Sequence, residues 1–530
     1  MTRFWGLFLL ITVPVCAARV DIREGRFYVD DKPFYVRAIA YGPWRPHQMP
    51  GTSYTDTNRH WTEKDFARIK AAHFNTIRTW EPLEPEDLAL ARQYGLMVLQ
   101  GIRMDTHQNF ADPHNQETAA EQVRLTAEAG KMADNILGYM VLSRTDPSAI
   151  LRSGVDNTQQ FFRRLKRTIQ TVDPRPVAME RWWPTAFLDD PDSDFGAFSA
   201  FSFWPKSLNY ALGYAGIVQW VVDHQGKNKP LLITETGGFS VSQASVTAAG
   251  GAGGLDEYAQ SMKDIGNLRA VVQGHAQGAA LVSWIDNWCF SRDAETHDNE
   301  PWEWTGIVGI ATDSKKDMDG IPRRALQDLK EYNQITVLEP KTDHFYPPLQ
   351  TEPIAVYGSP ETIGVRYSLN GGDWIRLQGS HEGWFIGSFK LPKLARRRQR
   401  LAFQALDKED SVVGEKEVSF VAALEPESMR VALNPTGETT ARLSFHAVVR
   451  NGDGQPVAKR NVLFGCFYPV SGLEDQGTAT TDSTGLATFT CTMPKDRPER
   501  YLYAAAGTDS PEHVRSGDLR IFELGRAHER

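Results

Sequence analysis

Several short stretches of this chain place a chemically active side chain directly after an apolar run. Glu235 ends the run Leu231-Leu-Ile-Thr-Glu235, and Arg78 lies within Asn75-Thr-Ile-Arg-Thr-Trp80. An arginine beside a carboxylate lowers the carboxylate's pKa and fixes its rotamer. A carboxylate held in this way can act as a nucleophile or can carry a proton. These residue types therefore indicate chemistry at the ends of strands.

The elements that must position these side chains alternate short apolar runs with longer helical stretches, from about residue 20 to 336. The eight apolar runs are residues 35–40, 75–80, 97–102, 137–142, 176–180, 197–203, 231–235 and 279–284. Eight βα units predict a closed (β/α)8 barrel, in which catalytic groups lie at the carboxyl ends of the strands. An open doubly wound sheet is the alternative, but no glycine-rich fingerprint follows the first run.

The order of these motifs resembles that of the clan A retaining glycoside hydrolases, a group that includes families 2 and 5. The segments that carry the resemblance are residues 77–80 (IRTW), 233–238 (ITETGG), 283–288 (SWIDNW) and 297–306 (HDNEPWEWTG). The resemblance implies that Glu235 is the nucleophile, that Arg78 keeps it ionised, and that Trp284 forms the floor of a sugar subsite. A retaining mechanism also requires a second carboxyl group about 5 Å away as acid and base.

Other side chains at the strand ends are candidates for contact with a carbohydrate. Aromatic rings stack on the apolar face of a sugar, and polar groups bind its hydroxyls. These candidates are Trp80, Asp105, His107, Trp204, Asp286 and Asn287. No ligand spacing matches a standard metal site, and glycoside hydrolysis needs only carboxyl groups and water, so neither a metal nor a cofactor is expected.

The end of the fourth strand departs from the family pattern. Clan A enzymes normally place an Asn-Glu pair there, and its glutamate is the acid/base. Read without a gap, this chain has Ser143 and Arg144 at those positions. An arginine cannot donate and reclaim a proton near neutral pH. The usual acid/base is therefore missing.

This departure leaves several hypotheses open. Asp146 or Glu180 could supply the proton in a hydrolase with altered geometry. The protein could instead be a transglycosylase, or could act on substrates with a good leaving group or a charge that Arg144 binds. It could also be an inactive pseudo-glycosidase that binds polysaccharide, or an adhesin. Retention of Glu235, Arg78 and Trp284 together favours an enzyme. The resemblance to the clan implies that its substrate is a β-linked polysaccharide or oligosaccharide.

Composition excludes some classes of partner. The 530-residue chain has 41% hydrophobic and 23% charged residues, which is typical of a globular protein. Its net charge of -8 lacks the basic excess expected for binding nucleic acid. No segment after the N-terminus approaches the roughly 20 apolar residues of a membrane helix.

The rest of the chain predicts an export signal and two accessory domains. Residues 1–18 combine a positive charge, a short apolar run and small residues, typical of a signal peptide for export to the periplasm or the cell exterior. After the barrel domain, 19–336, alternating strands and turns predict a β-sandwich over 337–424. A second sandwich, over 425–530, resembles bacterial immunoglobulin-like modules. Its cysteines, Cys466 and Cys491, either form a disulfide or are reduced core residues.

Overall fold

The computed structural model describes most of the chain. The described residues are 19–51, 60–226, 228–241, 253–291, 294–298, 300–310, 312, 318–380, 383–391, 398–422, 430–438, 442–451, 454–492, 499–508 and 517–524. The predicted signal peptide lies outside them. Among the described helices, none combines the length and apolar character needed to cross a membrane.

A small antiparallel sheet precedes the barrel. Its strands are β1 (Val20–Arg23), β2 (Arg26–Val29) and β3 (Lys32–Phe34). Asp30 and Asp31 turn the chain between β2 and β3 with positive φ angles, a conformation that Asp tolerates in turns. Phe27 is fully buried and packs against Phe195 at 5.4 Å between ring centroids. Phe27 therefore anchors this small sheet on the barrel.

The described strands and helices between residues 36 and 334 form the predicted (β/α)8 barrel. Its strands close in the order β10-β11-β4-β5-β6-β7-β8-β9, with every pairing parallel. These strands are almost entirely buried, as expected for a sheet covered on both faces. The strands are β4 (Val36–Tyr41), β5 (Thr76–Thr79), β6 (Met97–Gly101), β7 (Ile136–Val141), β8 (Val177–Trp182), β9 (Gly196–Ser199), β10 (Leu231–Gly237) and β11 (Gly278–Val282).

The barrel helices form the outer layer. Helix α5 shows how they pack: Phe161, Phe162, Leu165 and Ile169 share one buried face. The helices are α1 (His60–Ala71), α2 (Pro85–Gln93), α3 (Pro113–Gly130), α4 (Pro147–Ser153), α5 (Val155–Val172), α6 (Lys206–Val221), α7 (Glu257–Gln273) and α8 (Arg324–Gln334). A two-stranded ladder, β12 (Val308–Gly309) with β13 (Ile321–Pro322), follows β11.

Two packed sheets follow the barrel. One has the order β14-β16-β20-β19 and the other β15-β22-β21-β17-β18. Apolar side chains from both sheets share a single core, as in a β-sandwich. The strands are β14 (Ile335–Glu339), β15 (Phe345–Tyr346), β16 (Thr351–Gly358), β17 (Gly364–Leu369), β18 (Ile375–Arg376), β19 (Gln378–Ser380), β20 (Trp384–Lys390), β21 (Arg398–Leu406) and β22 (Val412–Ala422).

A second pair of sheets ends the chain, in the orders β23-β24-β27 and β26-β25-β28-β29. Cys466 on β25 and Cys491 on β27 form a disulfide, with 6.3 Å between their Cα atoms. Of the two alternatives that the sequence left open, the structure has the disulfide. The strands are β23 (Arg430–Glu438), β24 (Arg442–Arg450), β25 (Asn461–Phe467), β26 (Glu474–Thr480), β27 (Leu486–Thr492), β28 (Tyr501–Thr508) and β29 (Gly517–Glu523).

The last pair of sheets packs on barrel helix α6. The Ser207 backbone N–H donates to Glu474 at 2.6 Å, and the Trp220 indole N–H donates to the Leu519 carbonyl at 2.8 Å. Gly465 lies so close to the Ser207 carbonyl that a Cβ atom would clash with the helix backbone. The barrel and the terminal sandwich are therefore fitted to each other.

Candidate active site

A cavity of about 870 Å³ opens at the carboxyl ends of the barrel strands. This is the end of the fold where barrel enzymes carry their catalytic groups. Its walls combine aromatic rings with charged side chains. The lining residues are Trp44, Pro50, Arg78, Trp80, Glu81, Arg103, Met104, Asp105, Thr106, His107, Gln122, Ser143, Arg144, Glu235, Val282, Cys289, Phe290 and Trp302.

Glu235 lies within β10 near its carboxyl end, and its side chain is fully buried. Its Oε1 accepts a hydrogen bond from the Trp80 indole N–H at 2.7 Å, and Arg78 Nη2 lies 3.2 Å away. Its Oε2 accepts from Arg144 Nε at 2.8 Å, Arg144 Nη2 at 2.6 Å and Ser199 Oγ at 2.7 Å. Both carboxylate oxygens are therefore held by donors from the ends of three different strands, β5, β7 and β9.

The charges around Glu235 keep it ionised. Burial alone would raise the pKa of this carboxyl group, because it removes the charge from water. The guanidinium groups of Arg144 and Arg78, with the hydrogen bonds from Ser199 and Trp80, outweigh burial and lower the pKa to about 2. Glu235 is therefore an anion at any ordinary pH.

Arg78 joins two carboxylates below the cavity. Its Nη2 donates to both oxygens of Glu180 at 2.9 Å and also faces Glu235. The side chains of Arg78 and Glu180 are at most 1% exposed. Glu180 does not line the cavity, so the predicted alternative acid is placed as the buried counter-ion of Arg78 instead. The sequence placed Glu180 at a strand end but gave no sign of this ion pair.

Arg144 stands three residues beyond the end of β7 and reaches back to Glu235. Leu142 and Arg144 both have positive φ angles, so the backbone turns sharply there. The Arg144 side chain is 42% exposed, whereas that of Glu235 is 0% exposed. Its guanidinium carbon lies 5.7 Å from the Phe201 ring centroid and 5.9 Å from that of Trp302. The ion pair thus has one buried and one accessible member.

Asp146 lies outside the cavity wall but contacts a residue that forms it. Asp146 is the N-cap residue of α4, because its Oδ1 accepts a hydrogen bond from the Ser148 backbone N–H. Its Oδ2 lies 3.1 Å from His107 Nδ1. The loops that carry the two residues are also joined by the Asp146 N–H, which donates to the Thr106 carbonyl. Asp105 lines the same wall and accepts from the His107 backbone N–H at 2.9 Å.

Four predicted sugar contacts lie away from the cavity. Trp284 is fully buried among apolar core residues. Asp286 is paired with Arg323 through two bonds of 2.7 and 2.8 Å, and Asn287 is buried with its amide bonded to the Ile285 carbonyl. Trp204 packs between Trp182 and Phe467 of the terminal sandwich. A carboxylate that follows a strand can form a buried ion pair in the core or can bind a ligand, and the sequence motif alone did not distinguish these two roles.

Three contributors were not singled out from the sequence. Ser199 bonds the nucleophile candidate, while Phe290 and Trp302 line the wall. Ser199 ends β9, whereas the apolar run had suggested a strand continuing to residue 203. A strand ending at 199 would have identified it. Trp302 belongs to the 297–306 segment that carried the family resemblance.

Cys289 also lines the cavity. It is buried and free, and burial raises the pKa of its thiol to about 12. Such a thiol is not a nucleophile at neutral pH. Within the described part of the chain, no cluster of three or more His, Cys, Asp or Glu side chains could hold a metal ion.

Comparison with solved structures gives distant matches. The apo structure of Bacteroides uniformis beta-glucuronidase 3 has a TM-score of 0.46 and 14% identity, over 95% of this chain and 65% of that one. A Parabacteroides merdae beta-glucuronidase gives 0.44 and 14%, over 96% and 64%. A putative beta-galactosidase from Bacteroides fragilis gives 0.44 and 14%, over 77% and 58%. This chain thus spans less than two thirds of the length of these proteins.

No curated protein matches the chain. A family model does, over residues 20–324, and its description is glycosyl hydrolases family 2, TIM barrel domain. The matched segment exceeds half of the 530 residues and coincides with the observed barrel. The chain belongs to glycosyl hydrolase family 2 through this TIM barrel domain.

Proposed function

We propose that the barrel acts on O-glycosidic bonds of a β-linked oligosaccharide or polysaccharide by a retaining mechanism, with Glu235 as the nucleophile. The observation that carries this proposal is the state of Glu235: a buried, ionised carboxylate at the base of a large open cavity. In the first step a carboxylate oxygen bonds to the anomeric carbon while the bond to the leaving oxygen breaks. Water, or another sugar hydroxyl, then attacks the glycosyl-enzyme and releases Glu235.

The ion pair with Arg144 must open before Oε2 can attack. This oxygen already accepts three hydrogen bonds, two of them from Arg144. An anionic substituent on the substrate would take over the Arg144 guanidinium and leave Oε2 free. Arg144 is accessible enough to make this exchange, because 42% of its side chain is exposed. We therefore propose a carbohydrate that carries a carboxylate, sulfate or phosphate group.

The proton for the leaving group requires a donor other than Arg144. His107 lines the cavity, and Asp146 faces its Nδ1 at 3.1 Å. With Nδ1–H donated to Asp146, the other ring nitrogen is available to exchange a proton with a substrate. In this arrangement His107 carries the proton and Asp146 positions it. This replaces the simpler prediction that Asp146 itself is the acid.

The test is hydrolysis of aryl glycosides with leaving groups of different acidity, neutral and acidic sugars side by side. Glu235→Gln should abolish turnover while preserving sugar binding, because it removes the charge with little change in volume. His107→Ala and Asp146→Asn should slow substrates with poor leaving groups and spare dinitrophenyl glycosides, which need no acid. A Glu235→Gln variant as active as wild type would eliminate the nucleophile assignment.

A second candidate function is carbohydrate binding without turnover. The same ion pair favours it, because a carboxylate saturated with donors is a poor nucleophile. The two candidates differ in one measurement. A fluorinated dinitrophenyl glycoside should leave a covalent mass increase on the enzyme and none on a binding protein. Calorimetry that detects glycan binding without such labelling would establish the binding protein.

Export stays part of the proposal. The Cys466–Cys491 disulfide supports it, because such bonds persist in oxidising compartments. N-terminal sequencing of the protein from a periplasmic or culture fraction tests it. A mature protein that starts near residue 19 is expected, and an uncleaved protein confined to the cytoplasm would refute export.

A further inference from the structure

A second cavity, of about 280 Å³, lies where the barrel meets the first sandwich. We call it the junction cavity. Its walls come from α7 and α8 of the barrel and from β14, the β14–β15 connection, β21 and β22 of the sandwich. Its lining contains four cationic side chains, each on a different segment of the wall, and the carboxylate of Glu417. The cations are Arg269 on α7, Lys341 after β14, Arg398 on β21 and Lys416 on β22.

Two of the four cations have counter-ions. Lys341 is 4% exposed, with its Nζ 3.6 Å from Glu339, and its Nζ also contacts His275 Nδ1. Arg398 donates to Asp343 at 2.8 Å. The other two cations of the lining are Arg269 and Lys416.

Arg269 and Lys416 form no ion pair with any carboxylate in the described part of the chain. Glu417 follows Lys416 on β22, but side chains alternate across a strand, and Glu417 faces Arg400 at 3.7 Å. Lys416 Nζ instead lies 3.6 Å from the centroid of the Tyr332 ring. A cation over an aromatic face is stabilised, but its charge is not neutralised.

The lining carboxylate, Glu417, pairs with Arg400, and the neighbouring tyrosine and histidines add no negative charge near neutral pH. Burial raises the pKa of the Tyr332 hydroxyl above its ordinary value, so the ring stays neutral. Burial and the charge of Lys341 lower the pKa of His275 to about 4, and His344 shifts in the same direction. Burial, with the charge of Arg269, lowers the pKa of Lys416 to about 7. An anion in the junction cavity would restore a charged Lys416.

We infer that the junction cavity binds a tetrahedral oxyanion, sulfate or phosphate, between Arg269 and Lys416. The group could be a free ion or an ester on a sugar, since both present the same oxygens. Lys341 and Arg398 line the two remaining walls, each with its own counter-ion, Glu339 and Asp343. Because the walls belong to both the barrel and the sandwich, the bound anion would link the two. This site is separate from the catalytic cavity and does not depend on the proposed reaction.

The test is calorimetric titration of the full chain with sodium sulfate at pH 7.5 and constant ionic strength, chloride being the background anion. Saturable binding is expected. Lys416→Met and Arg269→Met should each weaken it by about tenfold or more, the loss expected for one charge-assisted hydrogen bond. Lys330→Met is the matched control, because Lys330 is an exposed cation on α8 outside the cavity lining. Absence of saturable heat, or equal binding by Lys416→Met and wild type, overturns the inference.

Proton uptake gives a readout that a general loss of structure would not mimic. Sulfate binding should draw a proton onto Lys416 at pH 7.5, seen as a dependence of the heat on buffer ionisation enthalpy. Lys416→Arg should bind sulfate with a smaller uptake, because arginine is already charged, which leaves Lys341, whose pKa burial lowers to about 8, to titrate near pH 7.5. Binding by this variant with unchanged uptake would contradict the role of Lys416. Glucose 6-sulfate binding more tightly than sulfate identifies an ester as the ligand, and the reverse order identifies a free ion.

Discussion

Arg144→Met should free Glu235 Oε2 from its ion pair, so that Glu235 reacts faster with neutral substrates. In the observed geometry two Arg144 nitrogens occupy Glu235 Oε2 at 2.8 and 2.6 Å. Methionine keeps the length and much of the apolar contact with Phe201 and Trp302 but removes every donor. Glu235 retains the donors from Trp80, Ser199 and Arg78, so it stays oriented. Its pKa should rise from about 2 toward the ordinary value while the group remains ionised at pH 7.

The size of the effect follows from the cost of opening the ion pair. A hydrogen bond between charged groups contributes about 1.5–3 kcal/mol when protected from water. Arg144 is 42% exposed, so solvent screening reduces the pair to about 1–2 kcal/mol. If the pair must open before attack, its removal should accelerate attack by Glu235 on the anomeric carbon by about 5- to 30-fold.

The assay is the rate of covalent labelling by 2-deoxy-2-fluoro-dinitrophenyl glycosides, followed by intact-protein mass spectrometry at pH 7. Arg144→Met should accelerate labelling by neutral glycosides and lose any preference for acidic ones. Arg124→Met is the matched control, since Arg124 pairs with Glu121 and Glu128 on the exposed face of α3. Unaltered or slower labelling of a folded Arg144→Met protein by neutral glycosides would refute the reasoning.

Three further predictions concern stability. The shift of the Glu235 pKa from 4.5 to about 2 contributes on the order of 3 kcal/mol to the free energy of unfolding. This contribution is complete above pH 4.5 and is lost as the pH falls toward 2. The stability difference between wild type and Glu235→Gln, measured by denaturant titration, should therefore shrink over that pH range. Asp286→Asn leaves the buried Arg323 without its counter-ion and should lower the free energy of unfolding by about 3–5 kcal/mol. Glycan affinity, measured at a temperature where the variant is folded, should be unchanged. Reduction of the Cys466–Cys491 bridge, which closes a 25-residue separation, should destabilise the terminal sandwich by about 3.5 kcal/mol, as thermal unfolding with and without reductant would measure.

The barrel could be predicted from sequence because its signal is periodic and local. Each apolar run coincides with a strand, and the strand ends then place Glu235 and Arg78 on one rim. The last of these runs shows what the pattern does not predict, namely the direction of the side chains that follow the strand. Residues 283–288 leave the barrel after β11, so the side chains of Trp284 and Asp286 enter the core behind the rim. A motif gives the order of residues but not the direction in which each side chain points.

Pairings between distant strand ends were also beyond the reach of sequence. Arg144 and Glu235 are 91 positions apart, and Arg78 and Glu180 are 102 apart. A guanidinium group can pair with any carboxylate that the fold brings within reach, so composition and spacing do not select the partner. The prediction that Arg144 cannot be the acid rested on its chemistry alone. Its ion pair with Glu235 became visible only once the strands were closed into a barrel.

The charge of the site connects the missing acid to the proposed substrate. Arg78 contacts both Glu180 and Glu235, so one guanidinium group would face two buried carboxylates if residue 144 were uncharged. Arg144 makes the cluster neutral, with two cations and two anions. Compared with the glutamate that the family pattern places there, arginine changes the charge by two. A buried charge needs a partner, so a ligand that draws Arg144 away from Glu235 is favoured when it brings a negative charge of its own. On the proposed function, the substitution that removes the usual acid would thus also select for an anionic carbohydrate.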